Sequence, residues 1–277
     1  MSAIDKTIWL IETHFGQPLS LDEMASHAGL SRTHLSRIFP LATGYSISGY
    51  TRARRLTEAA RALAAEAPDI LEVALDAGYG SHEAFTRAFG EQFGSTPAEV
   101  RRRRHLDDLK LVEPLPMNAN AEFQLADPVI DRHPPLRLAG LRQKHDMNRA
   151  NNLPLQWQQF QPYLGHVPDA VPGAAYGVVV SMDEGLCDYM TAMEVRPDAE
   201  VPREFTTLTV PAQRFAQFRH RGHISTIRST IGAIFAEWLP RSGETQNEEL
   251  SFLEFYGRDF DGATGLGTIE IWIGLKD

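Results

Sequence analysis

The chain has 277 residues, 43% hydrophobic and 23% charged, with a formal net charge of −9. That length suits two domains with a core each, and the composition is that of a globular protein rather than a disordered or fibrous one. No apolar run reaches the roughly 18 residues a membrane helix needs, residues 1–10 lack a secretory pattern, and the lone Cys187 excludes an internal disulfide, so the expected compartment is the cytoplasm.

Taken along the chain, a first amphipathic helix is predicted over 4–15 from Ile4, Ile8, Ile11 and Phe15. Ser20-Leu-Asp-Glu23 is a capping box, so a helix begins at Leu21 and ends near Ala28, with Gly29 as the turn. Ser31 caps the next helix, which buries Leu35, Ile38 and Phe39 and stops at Gly44. A long helix follows over 47–65, with Tyr50, Ala53, Leu56, Ala60 and Leu63 on one face, and Pro68 breaks it. A helix over 70–77, another opened by Ser81, and a last one begun by Thr96-Pro-Ala-Glu99 and carrying Arg101 to Arg104 complete an all-α segment over 1–104. Over 105–120 the periodicity fades and Pro114 and Pro116 appear, which marks a linker. From 121 to 277 the texture turns to strands, over 136–141, 176–181, 205–210, 215–218, 252–256 and 268–275. Helices over 155–164 and 224–239, the second stopped by Pro240, interrupt them. Two β-α-β-β-like halves follow, forming an α+β domain in which helices cover an antiparallel sheet.

One pattern occurs twice in the helical segment. Ala25, Ala28-Gly29, Leu35, Arg37 and Phe39 are matched by Ala74, Ala77-Gly78, Phe85, Arg87 and Phe89. Each copy is a helix ending at Ala-Gly and a second helix with Arg-x-Phe near its end. Two helices joined by a tight glycine turn can lay the second in a major groove, so two such units joined by the long helix can read two successive groove segments. Residues 1–104 hold equal numbers of basic and acidic groups, so the whole charge deficit lies in the remainder. A neutral domain binds DNA if its arginines share one face. Arg37 and Arg87 point away from the apolar positions beside them and suit a guanine or a phosphate. Thr33 and Ser36 share the first exposed face, and His82, Glu83 and Thr86 the second; the plain alternative is a solvated helix face. Arg101 to Arg104 read equally as phosphate contacts or as a solvated helix end that complements the dipole.

The segment Ala77-Gly-Tyr-Gly-Ser-His-Glu-Ala-Phe-Thr-Arg-Ala-Phe89 with Phe93-Gly-Ser-Thr-Pro97 closely follows the signature of AraC/XylS transcription regulators, and residues 1–104 resemble the DNA-binding domain of that family. The resemblance implies seven helices, with Thr33, Ser36 and Arg37 facing one groove and His82, Glu83, Thr86 and Arg87 the next. Glu83 departs from the family, which often has an uncharged polar residue there; it repels phosphate but can accept from a cytosine amine. Residues 121–277 resemble the GyrI-like effector-binding domain through Leu138-Ala-Gly-Leu141, Tyr176-Gly-Val178, Asp188-Tyr189-Met190, Pro211-Ala-Gln-Arg-Phe215, Trp238-Leu-Pro-Arg-Ser-Gly243, Leu253-Glu-Phe-Tyr256 and Ile269-Glu-Ile-Trp272. The order of head and tail is that of the Rob-type regulators. It implies a cavity for hydrophobic, often cationic, small molecules, and RNA polymerase as a partner.

The residues support a ligand site independently. Glu254 and Tyr256 alternate onto one strand face, as do Glu270 and Trp272. A carboxylate facing inward from an apolar strand is costly unless a cation joins it, and ring faces help to hold one. The alternative is that both glutamates face water and the tryptophan is core. Trp238, with Trp157, Phe160 and Tyr163, either lines the cavity or packs helix on sheet. No metal or other cofactor is expected: His220 and His223 lack a third ligand, Cys187 has no histidine partner, and the glycines over 262–267 are not followed by a phosphate-loop lysine. The expected function is a ligand-responsive, non-enzymatic DNA-binding regulator with double-stranded DNA and a small effector as partners, and no membrane. The alternative is a small-molecule hydrolase or drug-sequestering protein with a DNA-tethering head, using Glu254 or Glu270 as general base.

Overall fold

Capping and burial set the helices of the N-terminal region in a computed structural model that describes all residues except 15, 17–18, 66–68, 118–124, 149–152, 168, 184, 248–249 and 251. The expected helix end at Phe15, the break at Pro68 and the linker end at Asn120 lie outside the described residues. Helix α1 (Ala3–His14) buries Ile4, Ile8 and Ile11. Ser20 and Glu23 close both bonds of a capping box at the start of α2 (Leu21–Ala28), and Gly29 ends it at φ 75°, a left-handed conformation that favours glycine. Then come α3 (Arg32–Thr43), α4 (Ile47–Ala64), α5 (Ile70–Asp76), α6 (His82–Phe93) and α7 (Pro97–Arg103). Thr96 and Glu99 form a second capping box at α7. Leu56, Ala60 and Leu63 of α4, Val73 and Ala74 of α5, Phe85 and Phe89 of α6 and Val100 of α7 share one buried cluster.

The segment over 105–115, expected as a linker, is instead strapped to α4. Leu106, Leu109 and Leu111 pack on the cluster just described. Arg54 Nη1 donates to the Val112 carbonyl at 2.9 Å, the Val112 amide donates to Thr57 Oγ1 at 3.0 Å, and the Leu115 amide donates to the Tyr50 hydroxyl at 2.9 Å. The cause lies in α4: Arg54 is 3% exposed, and a buried guanidinium needs acceptors on every side. Glu12 takes its Nε at 2.9 Å and Glu58 one Nη at 3.0 Å; the strap supplies the third.

The chain divides into two compact units, Met1–Leu35 with Ile47–Ala121, and Ser36–Ser46 with Glu122–Asp277. The second half of α3 therefore belongs with the C-terminal unit, a grouping that a linear reading of domains does not yield.

The C-terminal unit is built on an eight-stranded sheet in the order β1-β6-β8-β7-β3-β4-β2-β5, with every pairing antiparallel. Its strands are β1 (Val129–His133), β2 (Leu136–Asp146), β3 (Ala175–Asp183), β4 (Leu186–Glu194), β5 (Thr206–Val210), β6 (Gln213–His220), β7 (Phe252–Tyr256) and β8 (Ile269–Leu275). Helix α8 (Leu153–Phe160) joins β2 to β3, and α9 (Ile227–Ala233) lies between β6 and β7. Each half is thus strand, helix, hairpin, with the last strand of the hairpin back beside the first. The two halves meet where β3 pairs with β7, and they exchange edges: β1 lies on β6, and β5 on β2. The expected helix over 224–239 is broken into a 3-10 turn, α9, a π turn over Ile234–Trp238 and α10 (Leu239–Ser242). Pro240 does not stop it, because the wide π turn restarts the hydrogen-bond ladder and leaves Pro240 in a first turn, where its missing N–H costs nothing.

Candidate functional site

The β3–β7 seam carries the chemistry of the C-terminal unit. Register places Glu254 of β7 opposite Gly177 of β3, and Glu254 is only 9% exposed. The Tyr189 hydroxyl donates to Glu254 Oε2 at 2.7 Å, and the Tyr256 hydroxyl donates to the same atom at 3.0 Å. The Trp157 indole N–H of α8 donates to the Tyr189 oxygen at 3.0 Å. Among the described residues no hydrogen bond engages Oε1. Gly177 makes this possible: a Cβ there would stand 2.2 Å from the Tyr189 hydroxyl and 2.3 Å from Glu254 Oε2. Gln156 fixes α8 over the sheet, bonding His145 at 2.6 Å and the Leu141 carbonyl at 2.8 Å.

A cavity of about 930 Å³ opens over this cluster, lined by Trp157, Tyr189, Phe252, Glu254, Tyr256 and Arg228 among others. Trp157 and Tyr256 meet edge to face, with ring centroids 5.0 Å apart. Burial raises the Glu254 carboxyl above the ordinary carboxylate range, against the two phenol bonds and the charge of Arg228, which pull it down. Burial also lowers the pKa of Arg228, while the Glu254 charge opposes that shift. The arrangement can take a positively charged group against a carboxylate and ring faces, in a chamber that Arg228 also lines. Cys187 also lines the cavity, but burial pushes its thiol up to about 12, so it is no thiolate nucleophile at neutral pH.

Of the residues read from the sequence as ligand-binding, Glu254 and Tyr256 line the cavity, whereas Glu270, Trp272 and Trp238 do not. Register gives the reason. Trp272 lies opposite Leu253, and Glu270 opposite Phe255, so both turn to the other face of the sheet. There Trp272 stacks on Phe255 with centroids 5.3 Å apart and donates its indole N–H to Glu270 at 2.8 Å. Trp238, in the π turn, packs edge to face on Phe218 at 4.8 Å. Sequence reasoning gave no ligand-site role to Tyr189 or Gly177, which entered only in family motifs, and none to Arg228. A glycine inside a strand signals close approach, so Gly177 was detectable; Tyr189 was not, because β4 is covered on both faces and shows no alternation.

In the N-terminal helices, Phe85 and Phe89 are fully buried while His82, Glu83 and Arg87 of α6 are exposed. Thr86 is half-buried, and its Oγ1 is sealed with no hydrogen-bond partner, so it does not present its hydroxyl outward as the other three present their side chains. Glu83 lies in the first turn of α6, where its own backbone N–H and Ser81 hold its carboxyl below the usual range. In α3, Thr33 is exposed and Ser36 and Arg37 are half-buried, beside the buried Leu35, Ile38 and Phe39. His220 is not a ligand in waiting: its ring bonds Thr230 at 2.7 Å and the His223 carbonyl at 3.2 Å. No metal-binding group of acidic, histidine or cysteine side chains occurs among the described residues. None of the described helices is long and apolar enough to cross a membrane.

Paired helix-turn-helix units and a sheet-and-helix chamber define a DNA-binding transcription regulator with a small-molecule-binding domain. The chain belongs to the family of the GyrI-like small molecule binding domain, whose model matches residues 126–276, and a helix-turn-helix domain model matches residues 24–103. It is 30% identical over 272 residues to transcriptional regulator Rob of Salmonella typhimurium, covering 94% of this chain and 92% of that one. It is 36% identical over 178 residues to the Right origin-binding protein of Escherichia coli K12, covering 63% of this chain and 60% of that one. Regulatory protein SoxS of the same strain is 38% identical over 99 residues, which is 36% of this chain and 92% of that one.

Proposed function

We propose that the chain is a ligand-responsive regulator that reads two successive major-groove segments with α3 and α6 and takes a lipophilic cation in its C-terminal cavity. The observation that carries the ligand reading is Glu254. A carboxylate on the seam of an apolar sheet, with both phenol bonds on Oε2 and no donor to Oε1 among the described residues, is uncompensated on one side. A cation that sheds its water against that oxygen and the rings of Trp157, Tyr189 and Tyr256 offsets both desolvation costs together. For DNA, Arg37 and Arg87 at matched repeat positions are the side chains for base or phosphate contact, supported by Thr33, Ser36, His82 and Glu83. Glu83 acts chiefly as an anion at the α6 N-terminus in this reading, and Thr86 through its methyl group rather than its hydroxyl. RNA polymerase is the partner such a regulator signals to. Turnover of the ligand is not part of this function; of the relatives named above, Rob and SoxS are regulators by name.

Calorimetry on the full chain tests the ligand reading with tetraphenylphosphonium and the neutral triphenylphosphine oxide. The cation should bind at least about tenfold tighter, a difference of about 1.4 kcal/mol, and Glu254→Gln should erase most of that preference. If the glutamine variant treats both compounds as the parent does, the chamber is not a cation site.

A further inference from the structure

The compact unit that holds the cavity also holds residues Ser36–Ser46, the second half of α3 and the turn after it. Pro40 and Leu41 of α3 line the cavity. Gly232 of α9 lies against Ala42, close enough that a Cβ on it would sit 3.1 Å from the Ala42 Cβ. The turn is pinned at its far end, where the Ser46 amide donates to the Met147 carbonyl at 3.1 Å and the Ser46 hydroxyl bonds Asn148. Between these points stands Arg228. Its Nη1 donates to the Thr43 carbonyl at 3.3 Å. Gly44, at φ +81°, leaves room for it: a Cβ there would lie 2.0 Å from Nη1.

Thr43 is the last residue of α3, and its carbonyl is one of those a helix leaves unpaired at its negative end. Arg228 therefore serves α3 as a terminal cation while lining the cavity that contains Glu254. No ion pair joins Arg228 to Glu254 among the described residues, so the carboxylate acts on the guanidinium through its field. That field, with a smaller one from Tyr45, works against the desolvation of Arg228, and the Thr43 carbonyl accepts from it. We propose that Arg228 reads the occupancy of the cavity and passes it to α3: a cationic group placed beside Glu254 neutralises the carboxylate and repels Arg228, weakening its bond to Thr43 and freeing the end of α3. The same half-helix carries Ser36 and Arg37, so the signal reaches a face assigned to DNA. This inference rests on the cation reading of the cavity given above.

Hydrogen exchange on the full chain, read over residues 40–46 with and without saturating tetraphenylphosphonium, tests it; calorimetry checks that the cation is bound. In the parent the cation should raise exchange over 40–46 several-fold. In Arg228→Met, a side chain of similar length without charge, loss of the repelling guanidinium should tighten cation binding, exchange over 40–46 should be fast already, and the cation should leave it unchanged. Arg228→Lys keeps a charge but loses the planar fork; it should fall between the two, and it decides the matter if the methionine variant does not fold. The coupling is overturned if the parent binds the cation with no change over 40–46, if the variants respond as the parent does, or if Arg228→Met no longer binds. A parent that does not bind tetraphenylphosphonium overturns the cation reading itself, and the coupling with it.

Discussion

At the scale of single residues, Glu254 makes the chamber pH-sensitive in a defined direction. Its folded carboxyl is raised by burial, opposed by Tyr189, Tyr256 and Arg228. A carboxyl raised on folding holds its proton longer in the folded than in the unfolded chain. It therefore costs no stability below the ordinary glutamate value of about 4.3, and stability falls as pH rises from there through the raised folded value. Denaturant midpoints of parent and Glu254→Gln, measured across that range, should diverge in favour of the variant as pH rises; a constant difference rejects the shift. A bound cation takes the ionised form, so its affinity should climb over the same window while that of a neutral analogue stays flat. Gly177→Ala tests the floor of the chamber. The added methyl would meet Tyr189 at 2.2 Å and Glu254 at 2.3 Å, and such overpacking costs about 1–3 kcal/mol. Urea unfolding of the variant should show that loss, and an unchanged midpoint would mean that the two side chains yield freely.

At the scale of elements, α4 and α6 show how burial divides structural from functional side chains. Arg54 is buried among Glu12, Glu58 and the strap carbonyl of Val112. Its replacement by alanine leaves the largely buried Glu12 without its cation and should destabilise the helical unit by about 3 kcal/mol, seen as an early thermal transition. Arg87, two residues and so about half a turn from each of the fully buried Phe85 and Phe89, is exposed. Arg87→Ala should leave the melting curve in place and weaken binding to a selected operator by about 1–3 kcal/mol; normal binding would place α6 outside the groove. Helix starts were legible in sequence because capping is local: Ser20 with Glu23 and Thr96 with Glu99 form the expected boxes. The strap over 105–115 was not, because its bonds go to residues 55 to 65 positions away, and its own composition reads as loop. Strand β1 was missed for a related reason. Its residues are mostly exposed and do not alternate, and only pairing with β6 makes it a strand.

At the scale of the whole molecule, a chain of net charge −9 can bind DNA only where basic side chains gather locally. Affinity should then fall steeply with salt: about five phosphate contacts give a log–log slope near −4 to −5, and a slope near zero would count against groove binding. The sequence by itself determined the all-α head with its repeated helix-turn-helix, the α+β tail with two similar halves, and the pairing of Glu254 with Tyr256. All of these follow from caps, glycine turns and the two-residue period of a strand, which act over a few positions. Only the tertiary structure decided which glutamate faces the chamber. Both Glu254 and Glu270 sit two residues from an aromatic pair partner in an apolar strand, and nothing local distinguishes them. The register of β7 on β3 and on β8 sets Glu254 over the cavity and turns Glu270 and Trp272 to the opposite face. The same long-range packing brought the Tyr189 hydroxyl to Glu254, the Trp157 indole to that hydroxyl, and Arg228 to the end of α3. Such contacts are set by register and by the packing of distant elements, and a linear reading of residue types does not contain that geometry.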